Sequence, residues 1–188
     1  MNDPHRQLMQ QVAEGNHTAF RRLARELSPS LHAVAWRMLG QSGHAEDALQ
    51  EALLKLWQTA PQWRGDAKVS TWAYRITVNA CQDIWRRQRK PTVPLEDIEE
   101  PAMNPTAPAQ VHTRQRRAIL GNALKGLPEN QRTAIILTYM HDLPQVEVAT
   151  ILRLSTRAVE GLLHRARAHL RTRLDEKDLT ANLEEGEA

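Results

Sequence analysis

Residues 143–174 read LPQVEVATILRLSTRAVEGLLHRARAHLRTRL. The pattern predicts a short helix, a tight turn at Arg153-Leu154-Ser155 and a longer arginine-rich helix. Pro144 suits the first turn of the short helix, where its missing N–H would be unpaired anyway. Val148, Ile151 and Leu152 make an apolar stripe, and Ser155 is a good N-cap for the second helix. In that helix Val159, Leu163, Ala166, Leu170 and Leu174 keep a helical period, while Arg157, Glu160, Gly161, His164, Arg167 and Arg171 fall on the opposite face. Two helices joined by a turn, with cations on the outer face of the second, form a helix-turn-helix suited to a major groove. A basic face is also what an ordinary solvated helix shows, so this stretch alone does not decide the function.

The composition narrows the class. A chain of 188 residues holds one large domain or two small ones. Hydrophobic residues at 41% supply cores, and aromatics at only 4% point to helices rather than sheets. The formal charge is only +3, so position matters more than total. Arg157, Arg165, Arg167, Arg171 and Arg173 crowd the last helix against the single acid Glu160, an electrostatic footprint for nucleic acid. The single cysteine, Cys81, forbids an intrachain disulfide and fits a reducing compartment. Its apolar helical setting predicts a buried structural thiol. With one cysteine and eight dispersed histidines there is no zinc-like cluster. No nucleophile–base arrangement is marked, so neither catalysis, metal nor cofactor is expected. No N-terminal apolar run resembles a signal peptide and no stretch is apolar enough to span a bilayer, so a soluble cytoplasmic protein is expected.

Along the chain, a short helix is predicted from Gln7 to Glu14 and longer ones from Thr18 to Leu39, His44 to Thr59 and Ser70 to about Arg89. Pro29 should kink the second or divide it, and Ser70 is a plausible N-cap for the fourth. Ala60 to Lys68 carries Pro61 and Gly65 and reads as a loop. Five of the ten prolines then fall between Pro91 and Pro108, among Glu96, Asp97, Glu99 and Glu100. Such a segment cannot bury enough apolar surface to order itself and reads as a linker. The expectation is an all-α chain of two small helical domains, 5–90 and 111–174, joined by a Pro-rich acidic linker at 91–110. An acidic tail at 175–188 is expected to fray.

Two further clusters carry chemistry. Trp63, Arg64 and Lys68 in the loop, and Trp72, Tyr74, Arg75, Asn79, Trp85, Arg86 and Arg87 in the helix after it, interleave aromatics with cations. That mixture suits unstacked nucleic acid, with rings for bases and arginine for phosphate, and an asparagine there can read a base edge. Trp72, at spacings of four from Ile76 and Ala80, reads better as core. In the preceding helix Glu46 and Asp47 sit near the start, where the macrodipole favours acids. Asp47, Gln50, Glu51 and Lys55 also make one polar stripe, suited to a basic protein partner. The residues leave both readings of that helix open.

The motifs AFRRL (19–23), AWRMLG (35–40), AEDALQEALLKLW (45–57), VSTWAYRITVNACQDIWRRQRK (69–90), LPENQRTAIILTYM (127–140) and the helix-turn-helix, taken in this order, resemble a bacterial RNA polymerase sigma factor. The likeness is to the extracytoplasmic-function group of the sigma-70 family and covers about residues 5–174. It implies that Glu46, Asp47, Gln50, Glu51 and Lys55 dock on the clamp helices of the largest polymerase subunit, and that the C-terminal domain meets the flap of the second-largest. Trp63, Arg64, Lys68, Tyr74, Arg75, Asn79, Arg86 and Arg87 match the surface that captures and melts the −10 element. Arg153, Ser155, Thr156, Arg157, Glu160, His164, Arg165, Arg167 and Arg171 match the surface that reads the −35 element. Core polymerase, promoter DNA and an anti-sigma factor are the implied partners, in a stress or envelope response. Departures from the family pattern are Arg153, where glycine is usual, and Ala158, Glu160 and Leu162, where threonine, lysine and arginine are more common. A stand-alone DNA-binding regulator would use the same helix-turn-helix but would leave residues 5–90 without a role. A helical adaptor would leave the basic aromatic helix unused.

Overall fold

In the computed structural model, residues 3–88 and 120–184 are described, with side chains through residue 173. The expected linker at 91–110 lies outside the described residues. The remainder is helical, with no strand among the described residues. The N-terminal half comprises α1 (Arg6–Ala13), α2 (His17–Leu39), α3 (Ser42–Thr59), a 3-10 turn at Ala60–Gln62 and α4 (Val69–Gln88). The C-terminal half comprises helical turns at 120–125 (α5), α6 (Glu129–Ile135) running into a π-helical turn at Ile136–Met140, α7 (Gln145–Leu152) and α8 (Thr156–Glu184).

Local chemistry sets most of the boundaries. Asn16 caps α2 by accepting from the backbone N–H of Thr18 (2.9 Å) and Ala19 (3.0 Å). Gly40, at φ +74°, ends it in the left-handed conformation. Between these caps α2 runs unbroken through Pro29, so of the two expectations, a kink or a division, the division is not found. A proline inside a helix costs about 3 kcal/mol. Leu23, Leu27, Leu31 and Val34 are all buried on one side of α2, and at roughly 1.5–3 kcal/mol each their burial outweighs that cost. Nor is Ser70 a cap. The helix begins at Val69, whose N–H is taken by Asp3 Oδ2 at 2.7 Å, a partner 66 residues away. Pro144 stands one residue ahead of α7 as its N-cap, and its carbonyl accepts from Val148 at 3.1 Å. At the other end α8 does not stop near Leu174; its backbone stays helical to Glu184, through a stretch rich in good helix formers.

Alanines 45, 48 and 52 form the inner side of α3 and let it lie close against its neighbours. On α4 the buried arc is unusually wide, from Val69 and Ala73 through Val78, Cys81 and Trp85, because α2 and α3 cover one side and α7 another. Burial holds the Cys81 thiol protonated, its pKa pushed up to about 12, as a structural thiol requires. The two halves share one continuous core: Leu31, Met38 and Ala73 belong to the same apolar cluster as Ile136, Leu137, Val148 and Leu163.

Candidate nucleic-acid interface

The helix-turn-helix is α7 and α8. Its turn depends on Arg153, which adopts φ +55°, ψ +43°, the left-handed conformation that glycine occupies most easily. The N–H of Arg153 and that of Leu154 both return to the carbonyl of Ala149. Ser155 then caps α8, its Oγ accepting from the N–H of Ala158 at 3.2 Å. Val159, Leu163 and Ala166 are fully buried, which turns Thr156, Arg157, Glu160, His164, Arg165, Arg167 and Arg171 to solvent. No ion pair or hydrogen bond among the described residues engages the Glu160 carboxylate, although Arg157 and His164 stand one turn away on either side.

On α4 most of the side chains that escape burial follow one line, while Asp83 and Arg87 face α3. Lys68, just ahead of the helix, then Trp72, Arg75, Asn79, Gln82 and Arg86 are half-buried or exposed, and steps of three, four and seven keep them on one side. Trp72, read from spacing as core, is only partly buried against the core and stands on this line. Trp63 lies partly buried in the preceding loop, with the Arg6 guanidinium 6.0 Å from its ring centre, while Arg64 is exposed. Tyr74 is turned the other way. It is 8% exposed, its ring meeting His141 edge-on at 5.7 Å with its hydroxyl 3.5 Å from His141 Nδ1. In this arrangement Tyr74 cannot meet a base.

The polar stripe of α3 splits into two parts. Glu46, Asp47 and Gln50 are exposed, beside Leu54, a large apolar side chain left 56% exposed. Glu51 and Lys55 are instead drawn into a network with α4. Glu51 accepts from Lys55 and from Arg87, both at 3.3 Å. Lys55 also lies 3.9 Å from Asp83, which receives Arg86 at 2.8 Å. Candidates for protein docking and for DNA contact thus share one set of charges, joined by Asp83, a residue that periodicity does not mark.

Sequence reasoning also missed Glu147. Its Oε1 accepts from Lys68 Nζ at 2.6 Å and its Oε2 from Thr71 Oγ1 at 2.7 Å, so α7 is tied to the start of α4. Burial pushes this carboxyl's pKa up, but the two hydrogen bonds and the Lys68 charge outweigh burial and leave it below the ordinary value. The same contact raises the pKa of Lys68.

Residues 23–90, which include most of α2 and all of α3 and α4, match the family model of sigma-70 region 2, and residues 113–170 match that of sigma-70 region 4. The ECF RNA polymerase sigma factor SigM of Mycobacterium tuberculosis is 36% identical over 157 residues, covering 83% of this chain and 77% of SigM. The chain is an extracytoplasmic-function sigma factor of the sigma-70 family. RNA polymerase sigma factor CnrH of Cupriavidus metallidurans is 31% identical over 183 residues, covering 92% of this chain and 95% of CnrH. The solved structure of CnrH in complex with the cytosolic domain of CnrY superposes with a TM-score of 0.72 at 28% identity, over 93% of this chain and 99% of that one. The sigma factor RpoE of Bartonella quintana, solved with the anti-sigma factor NepR, shares the fold with a TM-score of 0.64. As a sigma factor the protein binds core RNA polymerase and directs promoter-specific initiation of transcription. Its relatives are sigma factors, which are not enzymes. No helix among the described residues is long and apolar enough to cross a membrane.

Proposed function

We propose that the three surfaces divide the work of initiation. Glu46, Asp47 and Gln50 on α3, with Leu54 beside them, dock on the clamp helices of the polymerase largest subunit, while Glu51 and Lys55 hold α3 against α4. The Trp63–Lys68 loop and the line Arg75, Asn79 and Arg86 capture the unpaired −10 strand. The outer face of α8, from Thr156 to Arg171, reads the −35 duplex as the C-terminal half engages the flap. The division corresponds to domains at 5–90 and 111–174 with a linker at 91–110. An anti-sigma factor holds the protein inactive in the cytoplasm until a stress or envelope signal releases it.

The observation that carries this reading is the alignment of Lys68, Arg75, Asn79 and Arg86 on one partly exposed line beside an otherwise largely buried helix. Stacking a base on an aromatic ring is worth about 1–3 kcal/mol. Holoenzyme carrying Trp63→Ala or Asn79→Ala should therefore bind upstream duplex normally yet melt the promoter poorly. Permanganate footprints as strong as those of the unaltered protein, on both variants, would remove the loop and α4 from strand capture.

A further inference from the structure

The Trp63–Lys68 loop ahead of α4 is held at both ends by one short piece of chain at the start of α1. At the first end the Arg6 guanidinium stands 6.0 Å from the centre of the Trp63 ring. The same group borders the turn of the loop. Gly65 lies at φ +79°, and a Cβ placed there would meet Arg6 Nη2 at 3.3 Å and Trp63 Cη2 at 3.8 Å. The indole Nε1 of Trp63 is buried without a hydrogen-bond partner, so the ring takes its orientation from packing and from the cation beside it. Arg6 is exposed, and no ion pair among the described residues engages it. At the other end stands Asp3. Its Oδ2 accepts from the N–H of Val69 at 2.7 Å and its Oδ1 from the N–H of His5 at 3.0 Å. Val69 opens α4, and the N–H groups of a first helical turn lack intrahelical acceptors and carry partial positive charge, which a carboxylate satisfies. The Asp3 carbonyl accepts from the N–H of Arg6 at 3.2 Å, so the two holds form a single brace. Both residues lie ahead of 23–90, the stretch matched by sigma-70 region 2.

We infer that Asp3 and Arg6 are positioning residues for strand capture, holding the Trp63–Lys68 loop in its receiving conformation before the unpaired strand arrives. A loop left free must lose its backbone freedom when the strand binds, and a loop ordered in advance avoids that loss. Arg6 sets the plane of the ring on which a base stacks. Asp3 fixes the point at which the loop becomes helix, and with it the place of Lys68. The use of the brace rests on the proposed reading that this loop takes the −10 strand; the brace itself does not.

The test uses the full chain, free and in holoenzyme, with Asp3→Ala, Arg6→Ala, Arg6→Lys and Trp63→Ala. Hydrogen exchange on the free chain reads the brace without DNA. Asp3→Ala should speed exchange of the Val69 N–H by about tenfold or more, the effect of losing a charge-assisted hydrogen bond, while the amides of Cys81 and Ile84 keep their protection. Unchanged exchange at Val69 overturns the brace, whatever the promoter does. Permanganate reactivity of the −10 strand in holoenzyme complexes reads its use. Arg6→Ala should lower open-complex formation by about two- to fivefold, the worth of an exposed cation–π contact, with core affinity and melting temperature unchanged. Arg6→Lys, which keeps the charge, should recover part of the loss. Arg6→Ala combined with Trp63→Ala should cost no more than Trp63→Ala alone, because Arg6 acts through the ring. Additive losses would show Arg6 meeting the strand itself and overturn the positioning role, as would normal opening by Arg6→Ala beside impaired opening by Trp63→Ala. Normal opening by Trp63→Ala would instead remove the −10 assignment of the loop, and the use of the brace with it, while exchange at Val69 still decides the brace.

Discussion

Arg132 reaches from α6 to the end of α2, where its Nη1 donates to the carbonyl of Met38 at 2.7 Å. Its Nη2 serves the carbonyls of Lys125 and Leu127, and its plane lies over the Trp85 ring, 5.1 Å from the centre. Met38 and Lys125 sit at helix C-termini, whose last carbonyls lack intrahelical donors and carry partial negative charge. One arginine therefore closes two helices from opposite halves of the molecule. Burial lowers its pKa, with the nearby Glu129 pulling the other way. Arg132→Ala strands these carbonyls and should cost at least about 1.5–3 kcal/mol, the worth of a hydrogen bond to a charged group. Arg132→Lys should recover only part, because a single nitrogen cannot span both helix ends. Urea unfolding followed by circular dichroism checks both, and an undiminished midpoint for the alanine variant would contradict this role.

His141 makes the contact between halves sensitive to acid. Burial lowers its pKa first, the charge of Arg37 lowers it further, and Asp142 opposes them. Tyr74 faces it from α4, and His141 Nε2 is buried without a hydrogen-bond partner. A histidine with a depressed folded pKa takes up protons more readily when released. Its stabilisation is complete above the ordinary value of about 6.5 and is lost as pH falls through the folded one. Glu147 contributes with the same sign, but only below its own ordinary value of 4.5. Melting temperature should therefore fall on acidification below about pH 6.5, and His141→Gln should flatten that slope while leaving the lower transition. An unchanged slope in the variant would assign the sensitivity to another group.

The docking stripe separates two acids by what already binds them. Asp47 is exposed, and no ion pair among the described residues engages it, whereas Glu51 holds Lys55 and Arg87. Asp47→Lys should weaken binding to core polymerase with no change in melting. Glu51→Lys should also lose stability, by roughly 0.2–1 kcal/mol for each exposed pair broken. Anisotropy titration of the labelled sigma factor with core polymerase at matched salt reads the first effect. Full affinity in Asp47→Lys would take α3 out of the docking surface.

At Arg153 backbone strain and the expected contact with promoter DNA oppose each other. At φ +55° an L-residue carries a strain of about 1–2 kcal/mol that glycine does not. Arg153→Gly should therefore stabilise the C-terminal half by about 1 kcal/mol. It should also remove a phosphate contact, lowering duplex affinity across all sequences and flattening its salt dependence. A variant with a lower unfolding midpoint would show that the arginine contributes more than its backbone strain costs.

What could be read in the chain beforehand was what is encoded locally. The buried face Val159, Leu163 and Ala166 follows from period alone, and Ser155 caps α8 because an N-cap needs only its own next turn. Arg153 stands where the family usually has glycine, and its φ is positive. The failures are contacts distant in sequence. Asp3 decides where α4 begins, and packing on both sides carries α2 through Pro29. Tyr74 looked like an aromatic for DNA because its spacing cannot show His141, 67 residues later. Glu147 carries no mark in the sequence, since an acid in the first turn of a helix is what the dipole favours. Nothing in its neighbourhood announces Lys68.

Glu160 is the residue least suited to a phosphate-binding face, and its surroundings in α8 sharpen the choice about it. It is exposed between Arg157 and His164, one turn away on either side, yet forms no ion pair with either. Such a pair would contribute only about 0.2–0.5 kcal/mol and carry no sequence preference. A free carboxylate on this face is repelled by phosphates unless it meets a donor, and in the major groove the cytosine amino group is one. A good side-chain-to-base match is worth roughly 1–3 kcal/mol of discrimination. Glu160→Gln should therefore relax the preference at one base pair of the −35 element and leave the others intact. Arg157→Ala and Arg165→Ala should instead weaken binding to every sequence and reduce its dependence on salt. Selection from a randomised −35 library distinguishes these outcomes. If Glu160→Gln recovers the same preference at every position as the unaltered protein, Glu160 plays no part in reading the promoter.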